Sequence, residues 1–441
     1  MLSLEDNEVL CRVGPGTLMG NLLRRYWMPA LLSSELPSQE CPPVRVRLLG
    51  EDLVAFRDTE GRPGLFPTAC PHRGASVFFG RNEENGLRCV YHGWKFDVTG
   101  ACVDMPSEPA ESNFKNKVRI GAYPTVEKGG IVWTYMGPKE TMTGFRDFIG
   151  DNLRTDEYRA NKMISECNWV QGLEGNLDTA HISFLHRNLA DFVVEADETD
   201  RPGYPTDQTT TAIRGRDQAP KLEVQDTWYG YRYAGLRKTP NGHIHARVTD
   251  FIMPFMTYIA TVPVGGDSLS MMVPIDDDHF FRMSFATKHA TKIPGLNDTY
   301  SASATGVRDG QPRGGPPPSP FPERQSRAND YYLDRESQRN VSYTGIRGIP
   351  QQDMAVTESM GEIYLRTQEH LGQTDAAVIR MRRMLLKAAK DLANGIEPPA
   401  IDPSLPYTSI RSAEKILAPG EDWRVLGTEA DPLLQQVEVK A

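Results

Sequence analysis

Hydrophobic and polar residues alternate in short runs from Val44 to about Gly137, and turn-forming residues separate the runs. The segments VRVRLLG, DLVAFRD and IVWTYMG are rich in β-branched and aromatic side chains, with Gly, Pro, Asp and Asn between them. This pattern predicts a small all-β domain of roughly a hundred residues. Before it, residues 4–25 have a helical pattern that GPG at 14–16 interrupts.

The pattern beyond the β domain is mixed. Residues 168–187 begin as a helix, and residues 353–394 predict two helices, the first ended by Gly372 and the second capped by Thr374. Between them, several segments are typical of strands in a larger antiparallel sheet: DTWYGYRYAGLR, HIHARVTDFIMPF, TYIATVPV, LSMMVPI and HFFRMSFAT. The chain is therefore expected to be an α+β protein divided at 1–25, 26–145 and 146–441, with a Gly-, Pro- and Ser-rich flexible loop at 301–322.

Composition adds exclusions to this outline. With 39% hydrophobic and 24% charged residues the chain is typical of a globular protein, and no apolar run approaches the ~18–20 residues of a membrane span. The net charge of −9 argues against general nucleic-acid binding. The first residues lack an export signal, so the six cysteines are expected to be thiols or metal ligands in a reducing cytoplasm.

Two short motifs in the β domain each supply one cysteine and one histidine. They are CPHRG, with Cys70 and His72, and CVYHGW, with Cys89 and His92. Two cysteines and two histidines suit a zinc ion, but zinc knuckles usually pair Cys with Cys and His with His. The mixed pairing fits a two-iron Rieske cluster, in which two thiolates hold one iron and two imidazoles hold the other.

These four residues match the Rieske motif one for one. The loops CPHRGA and CVYHGW lack the extra cysteines of respiratory Rieske proteins and resemble the oxygenase branch instead. We expect Gly74 and Gly93 to let the backbone approach the cluster and donate hydrogen bonds to it. The resemblance implies a bound [2Fe-2S] Rieske cluster.

The stretch LEGNLDTAHISFLH resembles the iron signature of Rieske non-haem iron oxygenases. It contains Asp178, His181 and His186, and the preceding Asn168-Trp169 fits the same pattern. Two imidazoles and one carboxylate bind Fe(II) and leave positions open. Two residues five apart lie about 140° around a helix of ~3.6 residues per turn. The helix must therefore end or distort between the histidines, and irregular backbone is expected near 183–185.

The third ligand is expected far downstream. In the family the aspartate at the place of Asp178 does not bind iron but lies between a Rieske histidine of one subunit and an iron-ligating histidine of the next. The resemblance therefore assigns Asp178 to electron transfer and Asp353, in GIPQQDMAVTESMG, to the mononuclear Fe(II), with Glu358 as the second choice. An ordinary acid near a helix N-terminus is the alternative for Asp353. Glu174 receives no role.

Most of the chain is similar to the phthalate dioxygenase group, including RVTDFIMPF and QDMAVTESMGEIYLRTQEHLG. The resemblance implies a helix-grip catalytic domain, homotrimers or stacked hexamers, and electrons from NADH through a separate reductase with FMN and a [2Fe-2S] centre. The expected reaction is cis-dihydroxylation of an aromatic acid by O2. A monooxygenase or O-demethylase of a methoxylated, phenoxy or chlorinated acid is the alternative, and an electron carrier is a third.

An aromatic acid needs a carboxylate clamp, and arginine binds carboxylates through two parallel hydrogen bonds. Arg247, in the RVTDFIMPF segment, is the first candidate. Arg232, Arg237, His243 and His245 are close enough in sequence to compete. A salt-bridged or solvated arginine on a strand is the alternative interpretation.

Overall fold

The computed structural model describes most of the chain, and all structural statements below refer to these residues. They are 1–109, 111–148, 158–189, 202–203, 205, 207–260, 268–287, 325–428 and 431–435. The predicted loop at 301–322 lies outside the described residues. No described helix is both long enough and apolar enough to cross a lipid bilayer.

Two short helices precede the β domain. Helix α1 (Leu4–Cys11) begins at the cap residue Ser3, and helix α2 (Leu18–Arg24) begins at Thr17, whose hydroxyl accepts the hydrogen bond of the Gly20 amide. The predicted break between the helices is confirmed. Such hydroxyl caps satisfy amides that have no partner within the helix.

The β domain consists of three small antiparallel sheets. Strands β1 (Trp27–Leu32), β9 (Thr125–Lys128) and β10 (Ile131–Tyr135) form the first sheet, in the order β1-β10-β9. The second contains β2 (Val44–Leu48), β3 (Glu51–Arg57) and β4 (Pro63–Pro67). The third contains β5 (Arg81–Glu83), β6 (Gly86–Arg88), β7 (Lys95–Phe96) and β8 (Cys102–Asp104). The predicted all-β domain is confirmed.

The second half of the chain is built on an eight-stranded antiparallel sheet. Its strands run in the order β11-β17-β16-β15-β14-β13-β12, and β18 pairs with the start of β14. Their bounds are β11 (Tyr158–Ser165), β12 (Lys221–Thr227), β13 (Gly230–Lys238), β14 (Ile244–Ile252), β15 (Met256–Ile259), β16 (Ser268–Pro274), β17 (Phe280–Thr287) and β18 (Glu414–Leu417). The predicted strand DTWYGYRYAGLR is in fact the end of β12, a two-residue hairpin loop at Trp228 and Tyr229, and most of β13.

Helices cover this sheet, so the expected α+β fold with a helix-grip catalytic domain is confirmed. They are α3 (Trp169–Leu177), α4 (Asp207–Arg216), α5 (Arg335–Asn340), α6 (Ile349–Ser359) and α7 (Ala376–Ala393). One continuous core joins α2, β1, β10, α3, α7 and the tyrosines of β13. The two domains therefore share buried apolar side chains.

The predicted ends of the C-terminal helices are wrong. Helix α6 ends at Ser359 rather than near Gly372, because Gly361 has a φ of 95° that a helix cannot continue through. Helix α7 begins at Ala376 after a short 3-10 turn, with Asp375 rather than Thr374 as its cap. Asp353 consequently lies within α6 and does not open the helix.

Candidate active site

Two similar loops carry the cysteine and histidine pairs of the β domain. In the first, the Gly74 amide donates to the carbonyl of Cys70 at 2.9 Å, and in the second the Gly93 amide donates to the carbonyl of Cys89 at 2.9 Å. Both glycines have φ near 75°, which favours glycine. Their amides thus close the two turns, and the expectation that the backbone of these loops donates hydrogen bonds to the cluster stays a prediction.

Cys70, His72, Cys89 and His92 line one small cavity together with Trp94. The His72 ring stacks on Trp94 at 4.2 Å and lies 4.3 Å from the His92 ring. Burial raises the pKa of the Cys70 thiol to about 11, so the thiolate form needs a bound cation. The buried Nδ1 of His72 has no hydrogen-bond partner among the described residues.

These four side chains fit a two-metal cluster better than a single ion. A tetrahedral zinc ion with bonds of about 2.0–2.3 Å holds its ligand atoms within ~4 Å of one another. No three of the four, all of them described, bring ligand atoms within 4.8 Å of one another. Their donor set and spacing therefore suit a Rieske cluster, which bridges the pairs through two irons.

The segment after α3 supplies the histidines of the second site. Asn168 caps α3 by accepting from the Val170 amide, and the helix ends at Asp178. The Asp178 carboxylate accepts the Ala180 amide at 2.6 Å, and a 3-10 turn follows at His181–Ser183. Phe184 has φ −126° and ψ −66°, outside helical values. The predicted irregular backbone is confirmed, although the α-helix ends earlier than expected.

The sheet fixes this segment in place. Alternate residues of β13 point to the same face. Of these, Tyr233 donates to the carbonyl of Leu177 at 2.7 Å, and Arg237 donates to the carbonyl of Thr179 at 2.8 Å. A side chain at Gly235, between them, would come within 2.8 Å of Thr179. Strand β13 thus places the turn that presents the first histidine.

Three side chains then converge on one point. The Nε2 atoms of His181 and His186 lie 3.2 Å apart. Asp353 Oδ1 lies 3.9 Å from His181 Nε2 and 3.1 Å from His186 Nε2. The structure brings Asp353 to the histidines, whereas Glu358 accepts from the Glu166 amide and the Tyr331 hydroxyl elsewhere. This is the one such cluster of potential ligands in the described part of the chain.

Each ligand has an outer partner. Asp178 Oδ2 lies 3.5 Å from His181 Nδ1, Gln352 Oε1 lies 2.7 Å from His186 Nδ1, and Arg282 donates to Asp353 Oδ2 at 3.3 Å. Sequence reasoning missed Gln352 and Arg282. No local pattern in the sequence signals either contact, because both depend on how distant segments pack together.

The charges around the convergence point favour a cation. Burial by itself would raise the pKa of the Asp353 carboxyl, but His186 and Arg282 outweigh burial, so its pKa lies below the ordinary value. The pKa of Asp178 is also lowered, since His181 and the amide of Ala180 outweigh burial. Two imidazoles with a carboxylate make a three-ligand face with open positions, which suits Fe(II). A cavity of about 290 Å³ borders Asp178, His181 and Asp353.

Glu174 belongs to a buried ion network. Arg366 donates to both of its carboxylate oxygens, at 2.8 and 3.0 Å, and Arg382 donates to one at 2.7 Å. Burial would raise the pKa of Glu174, but the two guanidinium groups outweigh it and the pKa is lowered. Glu174 therefore joins α3 to α7 and to the segment before α7.

Arg247 lies in a second buried network that touches Thr179. Its Nη1 is 3.4 Å from Thr179 Oγ1, and its Nε is 3.7 Å from Glu414. Arg214 donates to Glu414 at 2.9 Å, and His245 Nε2 lies 2.8 Å from the same carboxylate. Arg247 is not among the residues that line the cavity at Asp353.

Arg232, another of the arginine candidates, is engaged elsewhere. It lies 3.7 Å from Asp250 and donates to the carbonyl of Leu426. His243 is half-buried at the turn that precedes β14. Of the competing residues, only Arg237 and His245 share the network of Arg247.

Comparison with known proteins shows the family of this chain. Residues 26–124 match the model of the Rieske [2Fe-2S] domain, and residues 134–440 match the model of the LigXa C-terminal domain like family. The oxygenase subunit of 3-chlorobenzoate-3,4-dioxygenase from Comamonas testosteroni is 38% identical over 440 residues, covering 96% of this chain and 97% of that one. The chain belongs to the Rieske non-haem iron oxygenases.

Other proteins similar to this oxygenase are also oxygenases. The phthalate 4,5-dioxygenase oxygenase subunit of Pseudomonas putida is 38% identical, covering 96% of this chain and 94% of that one. The 5,5'-dehydrodivanillate O-demethylase oxygenase subunit of Sphingobium is 31% identical, covering 93% and 87%. A solved dicamba monooxygenase, 18% identical, shares the fold with a TM-score of 0.56, covering 85% of this chain and 99% of that one.

The oxygenase holds a Rieske cluster and a mononuclear iron. The donor sets fit these groups: Cys70, His72, Cys89 and His92 would hold the cluster, and His181, His186 and Asp353 would hold the mononuclear iron. When bound, the cluster supplies single electrons and the mononuclear iron supplies the site of O2 reduction. The protein's own residues orient the ligands, place Asp178 behind His181 and hold the surrounding charges.

Proposed function

We propose that this oxygenase cis-dihydroxylates an aromatic carboxylate of the phthalate type. The arene and O2 combine with two electrons and two protons to give a cis-dihydrodiol, and NADH is oxidised to NAD⁺. The electrons pass through a separate cytoplasmic reductase that carries FMN and a [2Fe-2S] centre. Two relatives with 38% identity are named for 3-chlorobenzoate and phthalate, which are both aromatic acids.

An excess of positive charge behind Thr179 supports an acidic substrate. Three guanidinium groups, those of Arg214, Arg237 and Arg247, share the carboxylate of Glu414. Asp217 also contacts this cluster, but Arg237 donates to its main-chain carbonyl, at 3.0 Å, and not to its carboxylate. Burial, followed by the neighbouring guanidinium groups of Arg214 and Arg247, lowers the pKa of Arg237 to about 10.

The cluster also has unused hydrogen-bond donors. The Nε atoms of Arg214 and Arg247 and Nη1 of Arg237 are buried without a hydrogen-bond partner among the described residues. A buried donor without an acceptor costs about 1–3 kcal/mol. A substrate carboxylate would satisfy the donors and neutralise the excess charge. Arg247 does not line the cavity at Asp353, but its guanidinium lies against Thr179, just before His181, so we take Arg247 as the clamp.

Substrate-dependent uptake of O2 with a matched reductase tests this proposal. Phthalates, chlorobenzoates and methoxybenzoates are compared with their neutral methyl esters. We expect uptake with one of the acids, none with its ester, and a product that has gained two oxygens and two hydrogens. Formaldehyde release from a methoxybenzoate would instead identify the demethylase, and equal turnover of acid and ester would refute the clamp.

Arg247→Met tests the clamp residue by residue. Losing a charge-assisted hydrogen bond of about 1.5–3 kcal/mol corresponds to a decrease of about 10- to 150-fold in kcat/KM, which should fall mainly on KM. Arg424→Met, a half-exposed arginine of the same domain, is the matched control and should leave KM unchanged. An unchanged KM in Arg247→Met would contradict the assignment.

We further infer that the cluster of one chain serves the iron of the next chain in a homotrimer or stacked hexamer. Asp178 is 29% exposed and lies beside His181, so a neighbouring subunit can reach it. Val356 and Met360, which line the same cavity, are 37% and 47% exposed, and Tyr91, within a cluster loop, is 54% exposed. Exposed apolar residues beside both metal sites support a contact between chains.

Hybrid assemblies test this arrangement. His72→Ala removes a cluster ligand and His181→Ala removes an iron ligand, so each variant alone is expected to be inactive. Assemblies that contain both variants should regain turnover, because an intact cluster then faces an intact iron site across a subunit boundary. Hybrids that form but remain inactive would show that electrons do not cross between chains.

A further inference from the structure

The helix α6 places two consecutive side chains on opposite sides of the His186 ring. Asp353 Oδ1 lies 3.1 Å from Nε2, and Gln352 Oε1 lies 2.7 Å from Nδ1. Gln352 is 8% exposed, so its amide is held inside the protein. We propose that Gln352 is a positioning residue that fixes the orientation and the tautomer of His186. This inference rests on the proposed iron site.

A second hydrogen bond determines which way the Gln352 amide points. Its Nε2 donates to the carbonyl of Ile346 at 2.8 Å. A carbonyl oxygen only accepts hydrogen bonds, so the NH2 group must face Ile346 and the amide oxygen must face His186. The oxygen in turn accepts only, so Nδ1 of His186 carries the proton. Nε2 then presents its lone pair to the metal position.

The two histidines consequently have unequal partners. His181 has the Asp178 carboxylate 3.5 Å from its Nδ1, whereas His186 has a neutral amide. A carboxylate draws the imidazole proton and strengthens the ring as a ligand, whereas an amide fixes the ring without adding charge. The neutral contact of Gln352 thus holds the His186 ring in place. The charged contact is made only to His181, which the proposed function places on the path of the electrons.

Two variants at this position separate the roles of the amide. Gln352→Met keeps the length of the side chain and removes both hydrogen bonds. Gln352→Glu keeps the acceptor for His186 and loses the donor to Ile346. Iron affinity is measured by competition with a chelator, and the ligand field is read from the visible spectrum of the Co(II)-substituted site, with cluster absorption and circular dichroism as controls for folding.

We expect Gln352→Met to weaken iron binding about 10- to 100-fold, the usual effect of losing an outer partner. Gln352→Glu should recover most of the affinity and shift the Co(II) spectrum, because a carboxylate now contacts His186. Equal affinity and an unchanged Co(II) spectrum in Gln352→Met would overturn the inference. If Gln352→Met does not fold, Gln352→Glu decides: retained iron with a shifted spectrum supports the role, and iron loss refutes it.

The iron content of the wild-type protein distinguishes the role of Gln352 from the proposed iron site itself. A wild-type protein that holds iron only in its cluster would refute the mononuclear iron site itself. A wild-type protein with normal iron content and a Gln352→Met variant that binds iron equally well would refute the role of Gln352 alone.

Discussion

The Asp178 carboxylate lies 3.5 Å from Nδ1 of His181, on the side of the imidazole opposite to the nitrogen that faces Asp353. One ring nitrogen thus faces the proposed metal position, and the other faces an acid that is partly exposed. Asp178, the nearest acid in the sequence, therefore contacts the outer nitrogen of His181, whereas the distant Asp353 lies beside the inner one. The Asp178 side chain is 29% exposed, so it can be reached from outside the chain.

Asp178→Asn keeps the shape of this contact and removes its charge. We expect the variant to retain both metal sites, with re-oxidation of the reduced cluster in a single turnover slowed about 10- to 100-fold, the size typical of lost outer partners. Stopped-flow absorption of the cluster measures this rate. The exposed acid Asp402 supplies the control Asp402→Asn, and equal rates in all three proteins would contradict an electron-transfer role.

Glu174→Gln tests the buried ion network rather than catalysis. The substitution leaves Arg366 and Arg382 with a neutral partner in a buried site. Breaking a buried pair from one side typically costs about 3–5 kcal/mol. Thermal unfolding should therefore occur at a lower temperature in Glu174→Gln than in the exposed control Glu336→Gln. Equal unfolding temperatures would show that the network contributes nothing to stability.

Asp250 provides a dependence of stability on pH. Burial raises the pKa of its carboxyl from 3.8 to about 6, although Arg232 and the Tyr229 hydroxyl oppose the shift. The folded protein then holds a proton that the unfolded chain has released, so the contribution of Asp250 to stability falls as the pH rises from about 4 to 6.

Asp250→Asn abolishes this titration. The unfolding temperature of Asp250→Asn relative to wild type should therefore increase between pH 4 and pH 7. Differential scanning calorimetry at several pH values measures the difference between the two proteins, which removes the effect of all other titrating groups. A difference that stays constant with pH would contradict the raised pKa of Asp250.

Local pattern was sufficient for much of the fold. Alternation and β-branched residues predicted β2, β3 and β10, and the five-residue spacing of His181 and His186 predicted that the backbone must leave the helix between them. These features depend on neighbours in the sequence, so the sequence contains the information. The helix ends near Gly361 and Ala376 were missed because Gly372, farther along the chain, and Thr374, just before the cap Asp375, offered equally good stop and cap signals.

Long-range relationships were less accessible. Resemblance to a family pointed to Asp353, but no sequence pattern connects Gln352 with His186 or Arg282 with Asp353, since packing of α6 and β17 against the turn after α3 creates both contacts. The network of Glu174 likewise joins three distant segments. Such contacts depend on tertiary structure, and a single sequence does not encode them in any local signal.

Iron content and turnover, measured on the same samples, show whether Asp353 completes an iron site with the two histidines. Wild-type protein should contain about three irons per chain, two in the Rieske cluster and one at the histidines. Asp353→Ala should lower the content to about two per chain, keep the Rieske absorption and abolish substrate-dependent uptake of O2. An Asp353→Ala protein that retained its third iron or its turnover would contradict the site proposed here.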